Sequence, residues 1–453
     1  MSKVRTLLFS VVAVLAVALT SVKAQEQNIV EIAAGNPDFS TLVELVTAAG
    51  LADTLAGEGP FTVFAPTNEA FAALPAEVVA YVAANPDVLT AILTYHVVPG
   101  AVMSSDLSDG MTAATVQGGE LNFSVSDMGV MVDGVNVVAA DIAASNGVIH
   151  VIDGVILPEI TLPAVDPLAV SDNIIAAGSS TVYPVTERMA DLFNQEGFAG
   201  TITVDSIGSG AGIERFCVAG ETDIANASRP MRDSEKESCR SIDREPIEFL
   251  VGIDALTVVV SRENTFVDNL SLEQLAGIFG GTLTNWNQVD ASYPDAPIQL
   301  FSPGTDSGTF DFFVEEVLDD NTEAILAAPG IQFSEDDNVL VQGVEGSQFA
   351  IGYFGSAYYF PNADRLKALS IEGVAPVQAT AESGEYPLAR PLFIYTTAKI
   401  MAEKPQVAEF VNFYLTNVES QLGTESGQIG YFPVSKRTAR LNAALFLANT
   451  AGM

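Results

Sequence analysis

The sequence predicts an α/β fold preceded by a smaller, separate α+β unit. Three observations carry this expectation. After residue 171 an apolar strand, a short Gly/Ser/Thr turn and an amphipathic helix recur three times. Before residue 158, short helices precede a run of short strands punctuated by Gly turns. Between them, Pro158, Pro163 and Pro167 interrupt both helix and central strand, so residues 159–171 read as a semi-stiff linker. At roughly 100–200 residues per domain, 453 residues hold two to four folding units.

In chain order, residues 1–24 read as a cleaved signal peptide. Lys3 and Arg5 precede the apolar run Leu7 to Leu19, and Val22-Lys23-Ala24 suits a signal peptidase. An uncleaved N-terminal anchor is the alternative. No cysteine follows the run, which argues against a lipid anchor. The expected location is therefore secreted, periplasmic or envelope-associated.

The formal net charge is −38, and no Lys or Arg occurs between Lys23 and Arg188. Such a surface repels nucleic acid and anionic lipid, so neither is an expected partner. A small anion is not excluded, because local donors decide its binding and the surface field is screened beyond about 8–10 Å.

In residues 25–158, Asp38 or Ser40 is expected to cap a helix carrying Leu42, Leu45 and Val46. Phe61-Thr-Val-Phe64 reads as a strand, and Thr67 as the cap of a helix holding Phe71. Residues 111–157 read as β-rich. This unit resembles a fasciclin (FAS1) domain. The resemblance rests on Gly59-Pro-Phe-Thr-Val-Phe-Ala-Pro-Thr-Asn-Glu-Ala-Phe71, on Tyr95-His96 followed by Val97-Val98-Pro99-Gly100, and on Asn146-Gly-Val-Ile-His-Val-Ile-Asp-Gly-Val-Ile-Leu-Pro158. It implies an α+β wedge used for adhesion or protein contact. Tyr95 and His96 are the candidate contact with a protein or matrix partner. The alternative is that His96 and His150, the chain's two histidines, are hydrogen-bonded inside the β core.

In residues 172–453 the first repeat joins the strand Ile174-Ile-Ala-Ala177 through Gly178-Ser-Ser-Thr181 to a helix carrying Val185, Met189, Leu192 and Phe193. Pro184 suits that helix's first turn. The second joins Thr201-Ile-Thr-Val204 through Gly208-Ser-Gly-Ala-Gly212 to Ile213 and Phe216. The third joins Ile298-Gln-Leu-Phe301 through Ser302-Pro-Gly-Thr-Asp-Ser-Gly-Thr309 to Phe310, Phe313, Val314 and Val317. A helix N-terminus leaves N–H groups unpaired and carries roughly half a positive charge. Three termini converging would surround a tetrahedral oxyanion with neutral donors. Ligands of open α/β sheets lie beyond the carboxyl ends of strands, where these turns fall. A Ser or Thr before a single helix is by itself usually a cap, so the recurrence carries the argument.

This region resembles the phosphate-binding proteins of the bacterial ABC phosphate importer, in the periplasmic substrate-binding superfamily. The segments are Gly178-Ser-Ser-Thr-Val-Tyr-Pro184, Gly208-Ser-Gly-Ala-Gly212, Glu221-Thr-Asp-Ile-Ala-Asn-Ala-Ser-Arg-Pro230, Gly252-Ile-Asp-Ala-Leu-Thr-Val258, Thr305-Asp-Ser-Gly-Thr-Phe310 and Tyr386-Pro-Leu-Ala-Arg-Pro-Leu-Phe393. The resemblance implies a type II periplasmic-binding-protein fold, with lobe one at about 172–252 and 394–453 and lobe two at about 256–390. It implies inorganic phosphate as ligand and an ABC permease in the membrane as partner. By position it carries over Ser180, Thr181 and the Val182 N–H in the first turn, and Ser209 in the second. Asp223 falls on the acidic acceptor, and Ser307, Gly308 and Thr309 on the third helix terminus. Well-known members place an arginine just before the third turn, where this chain has Ser302-Pro303-Gly304. The charge comes from elsewhere or is missing, and Arg229 is the candidate replacement, a surface or interlobe salt bridge being the alternative for it. An ionised Asp223 would accept a hydrogen bond from hydrogen phosphate and repel sulfate.

Cys217 and Cys239 are the only cysteines, and in an oxidising compartment an even pair argues for one disulfide; two buried thiols are the alternative. No metal, cofactor or catalytic group is expected. A phosphate-ester hydrolase would want a metal cluster or an activated nucleophile, and the second region has no histidine. A pure adhesin with a degenerate cleft, or a binder of another oxyanion, are the remaining alternatives.

Overall fold

The computed structural model describes residues 27–451 except 127–128, 306, 335 and 424–428. The signal peptide expected at residues 1–24 lies outside them. The chain forms two compact units: one comprises the chain up to Thr161 and again from Lys436, the other spans Leu162–Ser435.

In the first unit, helices α1 (Ile29–Ala34) and α2 (Ser40–Ala48) precede strand β1 (Phe61–Pro66). Neither Asp38 nor Ser40 caps α2. The chain enters it through a 3₁₀ turn, Pro37–Phe39, whose cap is the Asn36 side chain accepting from the Asp38 N–H. Thr67 does cap the helix Asn68–Ala72, accepting from the Ala70 N–H. Helices α3 (Ala76–Ala84) and α4 (Pro86–Tyr95) follow. The remaining strands are β2 (Val97–Pro99), β3 (Thr112–Ala114), β4 (Glu120–Ser126), β5 (Gly129–Val132), β6 (Val135–Ala144) and β7 (Gly147–Ile152). They make a seven-stranded sheet ordered β2-β1-β7-β6-β5-β4-β3. Along β4, buried Leu121 and Phe123 alternate with exposed neighbours, the two-residue period of a sheet with one covered face.

In the second unit, lobe one holds β8 (Ile174–Gly178), β9 (Ile202–Ser206) and β10 (Ile224–Ala227), with helices α5 (Tyr183–Gln195), α6 (Ser209–Glu214) and α7 (Asp233–Ser241). β8 pairs in parallel with both β9 and β10. Next comes β11 (Ile247–Ser261), fifteen residues long and buried from Val251 onward. Such a continuous apolar run marks a strand covered on both faces. Lobe two contains β12 (Asn269–Leu270), β13 (Gln299–Pro303), β14 (Gln332–Ser334), β15 (Ala350–Gly355), β16 (Leu366–Ala368) and β17 (Ser370–Ile371), with helix α8 (Gly308–Leu318) after β13. The chain returns on β18 (Ala389–Thr396) to helix α9 (Pro405–Gln421).

The sheet order β14-β13-β15-β11-β18-β10-β8-β9 shows how the lobes join. The first part of β11, Ile247–Ala255, pairs antiparallel with β18, and its last part pairs with β15 and β16. β11 and β18 therefore run from one lobe to the other. Lobe two is packed around Trp286, Phe279, Phe313 and Tyr353; lobe one around Phe193, which meets Phe198 of its own lobe and Phe410 and Phe413 of α9. Full burial of each such side chain is worth roughly 1.5–3 kcal/mol.

Two boundaries differ from the sequence reading. The segment read as linker 159–171 is partly packed. Pro163 accepts from Asn412 of α9, Asp166 donates through its N–H to Glu409, and Pro167–Ala169 form a 3₁₀ turn. The final helix α10 (Lys436–Thr450) falls in the first unit, not in lobe one.

Candidate functional site

Four strand ends in the second unit reach one cleft. After β8, the Ser179 hydroxyl accepts from the N–H groups of Thr181 (3.2 Å) and Val182 (3.4 Å), which fixes the first turn. After β9, Ile207 and Gly208 both donate to the Gly178 carbonyl at 2.9 Å, tying the second turn to the first. Gly208 has φ 84°, a conformation open to glycine, and leads directly into α6. After β10, the Ser228 N–H donates to the Ser209 hydroxyl (3.1 Å), joining the third strand end to the second turn. After β13, Ser307 caps α8 by accepting from the Thr309 N–H at 3.2 Å.

The cleft, about 510 Å³, is lined by Ser179, Ser180, Thr181, Gly208, Ser209, Gly210, Ser228, Arg229, Arg232, Gly308, Phe312 and Arg390, with Asp311, Glu315 and Glu316 of α8. The N–H groups of Ser180, Ser209 and Gly210 meet no acceptor among the described residues. Those of Ser209 and Gly210 are the donors that the start of α6 leaves unpaired, and that of Ser180 belongs to the turn before α5.

Arg390 and Asp254 are register partners across β18 and β11, the strands shared by the lobes. The Arg390 Nη2 donates to Asp254 Oδ2 at 2.6 Å, with both side chains largely buried. Its guanidinium carbon lies 4.0 Å from the centre of the Phe312 ring. Its Nε is buried and has no partner in the structure. A guanidinium carries five N–H donors in a fixed fork, so a cation already held on one edge still offers donors on another. Arg229 lies in the same cleft but is bound by both carboxylate oxygens of Glu235, at 2.7 and 2.8 Å. Those bonds raise its pKa against the opposing effect of burial. On the opposite wall, burial and neighbouring Glu315 push the Glu316 carboxyl upward.

Of the residues expected from the sequence, Ser180, Thr181, Ser209, Arg229 and Gly308 are brought together. Val182 is fully buried behind the first turn with its N–H directed at Ser179, and Ser307 and Thr309 flank Gly308 without lining the cleft. Asp223 is not at the cleft. It precedes β10, at the amino end of the strand, whereas the cleft lies at the carboxyl end. Its carboxylate is buried, accepts from Lys404 Nζ at 2.6 Å and from the Ile175 N–H at 3.0 Å, and so braces α9 and β8. The role of proton acceptor that the sequence reading gave Asp223 is therefore withdrawn.

Ser179, Ser228, Arg232, Arg390 and Asp254 were missed. The signal for the last two was present. Asp254 is the one acid in the apolar run from Phe249 to Val260, and Arg390 is the one cation between Ala389 and Thr396. Charges in buried strands occur in pairs.

Cys217 and Cys239 form a disulfide that joins the turn after α6 to α7. Among the described residues no cluster of three or more His, Cys, Asp or Glu side chains could hold a metal ion.

In the first unit, Tyr95 and His96 are both buried, so the partner contact expected of them is corrected. The His96 Nε2 accepts from the Ile156 N–H (3.2 Å), which leaves Nδ1 to donate to the Ile92 carbonyl (2.8 Å). Burial lowers its pKa to about 4, so the ring is neutral at pH 7. His150 accepts from the Asp141 N–H, donates to the Val102 carbonyl and stacks on Phe64. The alternative reading of both rings as core groups is the one the structure has.

Residues 165–418 match the PBP superfamily domain, and residues 37–158 match the fasciclin domain. The chain is 42% identical over 290 residues to Protein SphX of Synechococcus elongatus, spanning 62% of this chain and 82% of that one. It is 38% identical over 266 residues to the phosphate-binding protein PstS of Staphylococcus haemolyticus, spanning 58% and 81%. A crystal structure of a possible phosphate binding protein from Planctomyces limnophilus is 38% identical, with a TM-score of 0.53, and covers 61% of this chain and 99% of its own.

Proposed function

From the premise that this chain belongs to the phosphate-binding proteins of the PBP superfamily and carries a fasciclin domain ahead of that region, we propose that its second unit captures inorganic phosphate between its lobes. The observation that carries the reading is the convergence of four strand ends on one cleft holding unpaired N–H groups and a partly engaged arginine. The donors we assign to the anion are the N–H groups of Ser180, Ser209 and Gly210, the hydroxyls of Ser180, Thr181 and Ser209, and the α8 terminus at Gly308. Arg390 supplies the positive charge that the sequence reading sought in Arg229. Arg229 remains at the rim, where an anion must compete with Glu235 for it.

Lobe one supplies the first two turns and lobe two supplies α8, so a ligand touching both favours the closed state. The closed unit then delivers its anion to an ABC permease, outside the cytoplasm. The disulfide and the apolar N-terminal run support that location. The fasciclin domain tethers the binder to a protein or matrix partner and so raises its local concentration without altering the cleft.

A second reading, an oxyanion without a proton such as sulfate, is favoured by the removal of Asp223 from the cleft. Against it stand Asp311, Glu315 and Glu316 on the cleft wall, carboxylates that suit a ligand able to donate a hydrogen bond. Titration calorimetry with each anion decides. We expect one phosphate per chain and sulfate at least about 100-fold weaker, a difference of roughly 2.7 kcal/mol. Equal binding of both favours the second reading, and no phosphate heat at 10 and 30 °C removes the proposal.

A further inference from the structure

The first unit has a charge problem that its residues up to Thr161 cannot solve. From Gln27 to Thr161 it contains no Lys or Arg, yet it buries Asp133, whose side chain is 6% exposed. Tyr95 donates its hydroxyl proton to Asp133 Oδ2 (2.6 Å), and the Asn122 N–H donates to Oδ1 (2.8 Å). Hydrogen bonds from neutral donors leave the charge itself unpaired in a low-dielectric surrounding.

The missing cation arrives from the other end of the sequence. Arg440, on α10, donates through Nη1 to Asp133 Oδ2 and to the Leu157 carbonyl, both at 2.7 Å, and lies 3.2 Å from the Tyr95 hydroxyl. Its guanidinium carbon lies 5.6 Å from the Tyr95 ring centre. Burial works against the charged form of Asp133, but the bonds from Tyr95, Asn122 and Arg440 outweigh it and hold the carboxyl below its ordinary range.

The same helix supplies apolar cover. Leu441 packs against the cluster of Ile92, Val155 and Leu157, and Ala443, Ala444, Leu445 and Phe446 are buried. Asn442 is buried as well. Through Leu441 and the buried run 442–446, α10 thus completes a core whose other walls are α3, α4 and the segment after β7.

We infer that the fasciclin unit is a receptor for a helix with a basic start and a buried apolar continuation, that its occupant is the chain's own helix α10, and that Arg440 is the residue that locks it. The fasciclin unit is then not a free-standing bead on a linker. It is closed only when residues 436–450 have joined it, and the anion-binding unit is carried as an insert, attached at residue 162 and again at residue 435.

The test uses the full chain and compares wild type, Arg440→Met and Asp133→Asn/Arg440→Met by differential scanning calorimetry with and without phosphate. Arg440→Met should lower the transition that phosphate does not move by on the order of 10 °C. It should leave the phosphate-sensitive transition within about 2 °C. The double variant should recover part of the loss, because the unpaired acid is gone. Hydrogen exchange over residues 76–95 should quicken at least about 10-fold in Arg440→Lys, which keeps the charge but not the fork. An unchanged phosphate-independent transition in Arg440→Met, or unchanged exchange over 76–95 in Arg440→Lys, overturns the inference. Exchange is read without ligand, so it answers for Arg440 even if phosphate moves neither transition, a result that would count against the phosphate reading alone.

Discussion

His96 is buried, and the cost of burying a charged ring outweighs the pull of its carbonyl partner Ile92 and of Asp133 toward the protonated form. Its folded pKa is about 4, below the ordinary value near 6.5. Between those values the unfolded chain binds more protons than the folded one, so stability rises with pH across this window and is lost as pH falls from about 6.5 toward 4. The full effect is on the order of 3 kcal/mol. Melting curves of the fasciclin unit should show this slope, and His96→Gln should flatten it. A slope that survives the substitution would assign the titration to another group. Asp223 teaches the converse point about single residues. An acid next to a strand reads as a ligand or as a brace depending on which end of the strand it occupies. Asp223 precedes β10, so its carboxylate reaches Lys404 and Ile175 instead of the cleft.

The elements were legible where their signals are local. Each Gly/Ser/Thr turn follows an apolar strand and opens a helix with a core-facing stripe, so β8, β9, β13 and their helices could be read from short windows. Pairings between distant segments were not legible in this way. Arg390 and Asp254 are 136 residues apart and meet only because β11 and β18 are neighbours. The pair that docks α10, Arg440 and Asp133, is 307 positions apart, and its sequence signal, the absence of Lys and Arg between Lys23 and Arg188, reads locally as a surface property only. Close packing of elements also sets the cleft. A Cβ at Gly212 of α6 would stand 2.3 Å from the Gly178 Cα and 2.6 Å from the Ala177 carbonyl. Alanine normally favours a helix by about 1 kcal/mol over glycine. Here Gly212→Ala must push α6 away from β8 and separate the first two turns. Phosphate affinity should fall at least about 10-fold in a titration, a change of about 1.4 kcal/mol. Unchanged affinity would mean that the two turns need not be held together.

At the scale of the whole molecule, the second unit has a turn-bearing wall in each lobe and two strands, β11 and β18, shared between the lobes. Arg390 and Asp254 lie in those shared strands, so the cation sits at the floor of the cleft instead of on either wall. The first unit differs: its residues from Gln27 to Thr161 carry no Lys or Arg, and its buried Asp133 is paired with Arg440 of α10. The central claim concerns the floor. Calorimetric titration of phosphate into wild type, Arg390→Met and Asp223→Asn measures it most directly. A hydrogen bond to a charged group is worth about 1.5–3 kcal/mol, so Arg390→Met should weaken binding roughly 10- to 100-fold. Asp223→Asn should lower the melting temperature yet keep affinity within about threefold, well under the 1.4 kcal/mol of a tenfold change. The opposite pattern, with affinity lost at Asp223 and kept at Arg390, would contradict the account.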